Sequence, residues 1–118
     1  MGKGIPMYYK IIVSKKKMEG GIVGWAHAWK IFISPDYVDD QSVVEHEKVH
    51  VRQWWRTLGL HTHLMNLSEK YRLRIEIEAY KVTLKYTPRD INYICRELRD
   101  GYGFEGLTRR QIKRMLLS

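Results

Sequence analysis

A chain of 118 residues, 44% hydrophobic and 29% charged, suits one domain around a modest core, and it contains no run near the ~18 apolar residues of a membrane span. The net charge of +8 admits an anionic partner, yet the basic residues are spread along the chain with one local cluster at Arg109, Arg110, Lys113 and Arg114, so a solvated basic surface is the plainer reading. The lone cysteine, Cys95, excludes an internal disulfide; Met1 to Lys10 lacks the apolar stretch of a secretory signal, and a cytoplasmic location is expected.

Residues 7–14 form a short apolar, β-branched run that reads as a strand. A lysine- and glycine-rich loop over 15–21 follows, then a longer strand over 22–34 ended by Pro35. Within it Trp25, His27, Trp29, Ile31 and Ile33 share one face at period two. The two strands are expected to pair as a β-hairpin or small antiparallel sheet. Asp39, Asp40 and Ser42 are cap candidates for a helix over 41–58, with Gly59 as its stop. On its wheel Glu45, Lys48, Arg52 and Arg56 form a polar stripe. Val43, Glu47, His50, Trp54 and Leu58 form an inward one, widened by Val44, Val51 and Trp55. The four tryptophans are read mostly as core.

Residues 71–79 alternate like a half-exposed strand, but the window 71–86 fits a helix better, with Arg74, Glu78, Lys81 and Lys85 in one polar stripe. On that helix Glu76 lies about 160° from Glu78, on the buried side. Thr87-Pro88 opens a helix over 88–100 with Ile91, Ile94, Cys95 and Leu98 inward, stopped by Gly101. Residues 102–107 read as a glycine-broken loop, and Thr108 caps a last helix over 109–117. The fold class is α+β, one domain over 1–118: a small sheet followed by a helical bundle.

His46, Glu47, Lys48, Val49 and His50 spell H-E-x-x-H. On a helix, positions i and i+4 stack on one face, so two imidazoles can share one Zn²⁺ while the adjacent glutamate serves as base for a water. The polar motif residues interrupt an inward-facing surface, where buried polar groups need partners. Glu76 is the expected third ligand, with Glu78 as substitute; the plainer role for Glu76 is an ion pair with Arg72. Distances agree: the first helix runs about 13 Å outward from His50 to Gly59, and a helix starting near Ser68 returns about 12 Å to Glu76. A break is therefore expected between 60 and 68. His61 and His63 are lesser ligand candidates in the connecting loop. The extended pattern with a third histidine is excluded, because Gln53 and Arg56 stand where glycine and histidine are required.

The runs H-E-K-V-H-V-R-Q-W-W and E-I-E-A resemble the gluzincin metallopeptidases, which combine H-E-x-x-H with a ligand glutamate in E-x-x-A. The likeness covers about residues 22–82 and is nearest to small phage and bacterial metallopeptidases, then to the heat-shock and prenyl-protein zinc endopeptidases. It implies a minimal zincin-like domain with Zn²⁺ on His46, His50 and Glu76, Glu47 as general base, and a peptide or protein substrate laid along Ala26 to Trp29, with His27 in reach. Larger relatives carry Asp after the alanine; here Tyr80 takes its place. Tyr80, Tyr71, His61 and His63 are candidates for stabilising the oxyanion, and Tyr80 is expected to be the catalytic one. The alternative is a basic nucleic-acid-binding module with a structural zinc closed by His61 or His63.

Overall fold

The computed structural model describes residues 7–14 and 23–118; the loop expected over 15–21 lies outside them. Strands β1 (Lys10–Val13), β2 (Gly24–His27) and β3 (Lys30–Ile33) precede five helices. These are α1 (Gln41–Arg56), α2 (His61–Leu67), α3 (Glu69–Tyr86), α4 (Ile91–Arg96) and α5 (Arg109–Leu117). The α+β expectation holds, but the sheet corrects its detail. The order is β1-β3-β2, with β2 antiparallel and β1 parallel to β3.

The expected long strand folds back on itself at Ala28-Trp29, so that Trp25 pairs with Phe32 and His27 with Lys30. A two-residue turn inverts the inside–outside parity of everything before it. Trp25 therefore stacks on Phe32 at 4.5 Å, while Ile31 and Ile33 are fully buried on the other face with Ala26 packed against them. The period-two face joining Trp25 and His27 to Ile31 and Ile33 does not form. Ala28 enters the turn at φ 56°, a left-handed conformation usually given to glycine or asparagine. A run reading Trp-Ala-His-Ala-Trp carries no such signal.

Helix α1 begins where Asp40 accepts a hydrogen bond from the Ser42 backbone N–H at 3.0 Å, as expected of a cap. It ends in a left-handed turn through Leu58 and Gly59 at φ 53° and 89°. Its buried residues are His46, Glu47, Val49, Val51 and Gln53. Leu58, placed inward on the wheel, is 88% exposed because the helix has ended before it. Trp55 is also partly outside, its indole N–H donating to the Tyr8 carbonyl at 2.9 Å.

The expected break between α1 and α3 is real, but a short helix occupies it. α2 gives way at Ser68, whose backbone is extended and whose hydroxyl accepts from the Tyr71 N–H at 3.1 Å. Helix α3 buries Ile75, Glu76, Ile77 and Ala79. It is buried on two sides, against α1 and against α4 and α5, which explains why a short window looked like a strand. The far side joins Ile77 to Ile94, Cys95, Leu98, Phe104, Ile112 and Leu116. Each such buried aliphatic side chain contributes about 1.5–3 kcal/mol of transfer free energy. Phe104 comes from the segment read only as loop. Thr108 and Gln111 form a reciprocal capping box at the head of α5. Among the described residues no helix is long and apolar enough to cross a membrane.

Candidate metal centre

α1 and α3 bring together the three side chains that the sequence singled out. Glu76 Oε1 lies 3.8 Å from His46 Nε2 and 3.4 Å from His50 Nε2. The donor atoms lie within 4.8 Å of one another, and the group could hold a metal ion. His46 and Glu76 are buried, and His50 nearly so. Glu76 Oε1 is fully enclosed and no donor among the described residues meets it in good hydrogen-bond geometry, His50 at 3.4 Å being an ionic contact. A buried acceptor left without a well-formed hydrogen bond is costly, and a cation at this point would satisfy it. Arg72, its alternative partner, instead lies over the Phe104 ring at 5.4 Å. Glu78, the substitute ligand, is turned outward to Arg56 at 3.0 Å.

Two residues that the sequence did not mark hold the imidazoles. Gln53 is fully buried. Its amide nitrogen donates to the Ile75 carbonyl at 3.1 Å and to Glu78 Oε1 at 2.8 Å. With both amide hydrogens spent, its oxygen can only accept, so the 2.9 Å contact with His50 Nδ1 has the ring donating. Neutral His50 then carries its lone pair on Nε2, facing Glu76. Thr83 does the same for His46. Its hydroxyl leans on the Ala79 carbonyl at 3.4 Å and meets His46 Nδ1 at 2.9 Å. Such outer partners fix ring orientation in metal sites. Both had a positional signal. Gln53 is seven residues from His46, and Thr83 is seven from Glu76, so each lies two turns along a ligand face.

The electrostatics follow from burial and close charges. Burial, then the His50 charge, pushes His46 down to about 3. Burial also lowers His50, but the Glu76 carboxylate and Glu47 override it and raise the group to about 9. Burial raises Glu76, but contact with His50 prevails and leaves it low. Glu47 is lifted to about 7, chiefly by burial. The metal-free centre is thus a protonated His50 against an ionised Glu76, with Glu47 poised near neutrality beside them.

Tyr80 packs its ring against His46, with centroids 4.4 Å apart, and its hydroxyl meets that of Tyr102 at 3.1 Å. Burial pushes Tyr80 up to about 12. His61 is buried rather than solvent-facing; its Nδ1 meets the Tyr71 hydroxyl at 2.8 Å, and it is pushed down to about 4, chiefly by burial. His63 is exposed. Neither histidine joins the convergent donor group among the described residues. A cavity of about 270 Å³ opens on the centre, lined by Gly24 to Ala28 of the edge strand and its turn, by Trp54 and His61, and by the four motif and ligand side chains. A Cβ at Gly24 would stand 3.0 Å from Val43 Cγ1, so that the valine would have to shift, and 3.6 Å from Glu47 Cγ, an ordinary contact.

Comparisons of the chain with protein-family models, with curated proteins and with solved structures find no match.

Proposed function

We propose that this chain is a zinc-dependent metallopeptidase of gluzincin type, with Zn²⁺ on His46, His50 and Glu76 and Glu47 as general base. The observation that carries the reading is the buried convergence of Glu76 Oε1 with the Nε2 atoms of His46 and His50, whose Nδ1 atoms are engaged by Thr83 and Gln53 so that Nε2 is left to ligate once His50 loses its proton. Zinc bonds of about 2.0–2.2 Å set tetrahedral donors roughly 3.3–3.6 Å apart, close to the separations of 3.4 and 3.8 Å. A donor set of two imidazoles and one carboxylate is that of an open hydrolytic site, not a closed structural one. A nucleic-acid module with a structural zinc needs a fourth ligand, and among the described residues none converges on the group.

When bound, zinc supplies the Lewis acidity that makes water a nucleophile at neutral pH and polarises an amide carbonyl. Glu47, buried at the cavity wall, takes the proton from the attacking water and delivers it to the leaving amine. Thr83 and Gln53 keep the imidazoles turned. The Tyr80–Tyr102 hydroxyl pair supplies the donor for the carbonyl oxygen as it gains charge. The edge strand β2 offers backbone groups to an extended peptide.

Metal analysis of protein purified without a histidine tag should return about one zinc per chain. Glu47→Gln should keep that zinc and lose proteolysis. Zinc-free protein, or undiminished proteolysis in Glu47→Gln, removes the assignment.

A further inference from the structure

The candidate centre stands between two cavities. The second, of about 450 Å³, shares Gly24, His46, Glu47 and Tyr102 with the first and continues away from His50. Its outer wall is one face of the α4 region, where Asp90, Tyr93 and Glu97 recur at spacings of three and four. Glu47 closes the inner wall. It is 7% exposed and lines both cavities. Among the described residues no hydrogen bond or ion pair holds it, and an almost wholly buried carboxylate facing a cavity in that way marks a place where a ligand group belongs.

The charge of this cavity opposes that of the chain. Of 21 lysines and arginines, none among the described residues lines either cavity, while Asp90 and Glu97 stand in the second. Neither is in an ion pair among the described residues. Arg96, the last residue of α4, lies over the Tyr93 ring at 5.9 Å from its centroid. The ring of Tyr93, 57% exposed, offers apolar surface between the two carboxylates. A long aliphatic stem ending in a cation fits that sequence of groups. A polybasic segment does not, because the net charge of +8 opposes it outside the cavity.

We infer that the second cavity is a specificity pocket for one lysine or arginine side chain of the substrate, held by Asp90 and Glu97 next to the scissile bond. This rests on the peptidase reading for the words "scissile bond", but the binding preference can be measured without cleavage. Fluorescent octapeptides carrying a single central Lys, Gln or Glu in an otherwise neutral sequence are titrated into the zinc-loaded chain and into the metal-free chain. The Lys peptide should bind about three- to tenfold more tightly than the Gln peptide, the size of two partly solvated ion pairs, and the gap should shrink with salt. Asp90→Asn with Glu97→Gln should erase the gap, and Glu97→Arg should favour the Glu peptide. Exposed Asp90→Asn alone should give a partial loss, and it keeps the test readable if the half-buried Glu97 does not tolerate change.

An unaltered Lys preference in the double variant, equal binding of all three peptides, or no binding at millimolar peptide each overturns the pocket. A Lys preference that follows the two carboxylates while no peptide is ever cut retains the pocket and defeats the hydrolase.

Discussion

The two sides of α3 are built on opposite principles. Toward α4 and α5 it meets a dry, apolar seam in which Ile94, Leu98 and Ile112 are fully enclosed. Toward α1 the same helix meets His46, Glu47, Gln53 and its own Glu76, all buried and all polar or charged. The first seam lowers free energy by removing apolar surface from water. The second raises it unless every charge finds a counterpart. One helix therefore carries the stability of the domain on one face and its chemistry on the other. The polar seam is tolerated because the apolar one anchors it.

The widest gap between the seams should appear in catalysis. Glu47→Gln is expected to lower peptide hydrolysis by about 10²–10⁴-fold while leaving the unfolding midpoint near that of the native chain. A parallel collapse of the thermal melt would mean that Glu47 is a structural residue. In the apolar seam, Leu98→Ala should cost about 2–5 kcal/mol in urea denaturation, and zinc should still bind at the same stoichiometry while the chain is folded. A third change turns the comparison around. Replacing His46, His50 and Glu76 together by leucine should leave the metal-free chain as stable as before or more stable by about 1–4 kcal/mol. A large loss would show that the charges hold the fold in their own right.

Two smaller effects sharpen the polar seam. Gln53→Met should reduce zinc affinity by about 10–100-fold, measured by chelator competition, although Gln53 is not itself a ligand. Affinity should also follow pH. His50, raised to about 9 in the metal-free chain, must give up its Nε2 proton to bind, so below that value each unit of falling pH should weaken zinc about tenfold. Calorimetry in two buffers of different ionisation enthalpy should accordingly show about one proton released per ion at pH 8, where Glu47, at about 7, is already mostly ionised. Proton-neutral binding at that pH would contradict the His50–Glu76 pair.

What could be seen in the chain before its structure was whatever helical rotation decides. The motif fixes His46 and His50 on one face, and rotation separates Glu76 from Glu78, because both judgements need only 100° per residue. Distance along two antiparallel rods then places Glu76 at the histidines. Gln53 had the right phase but was read only for the glycine it replaces. Thr83 sat two turns beyond Glu76 in the polar–apolar mixture of a helix buried on two sides. The sheet was least legible. The turn at Ala28 lacks the glycine or asparagine that advertises a reversal, and the parallel pairing of β1 with β3 is a non-local choice without a local sequence mark. His61 looked like a loop histidine because its burial depends on Tyr71, a contact made only once α2 packs beside α3.

The amide of Gln53 is tied at three points, to a backbone carbonyl, an outward-facing carboxylate and a ring nitrogen. Turning it over would set like groups against each other at all three. The Gln53 contacts are accordingly in place without an ion, and on the proposed reading uptake would amount to seating rather than refolding. Such a chain is poorly suited to sensing zinc through a change of shape, and its loaded and stripped forms should superimpose along α1 and α3.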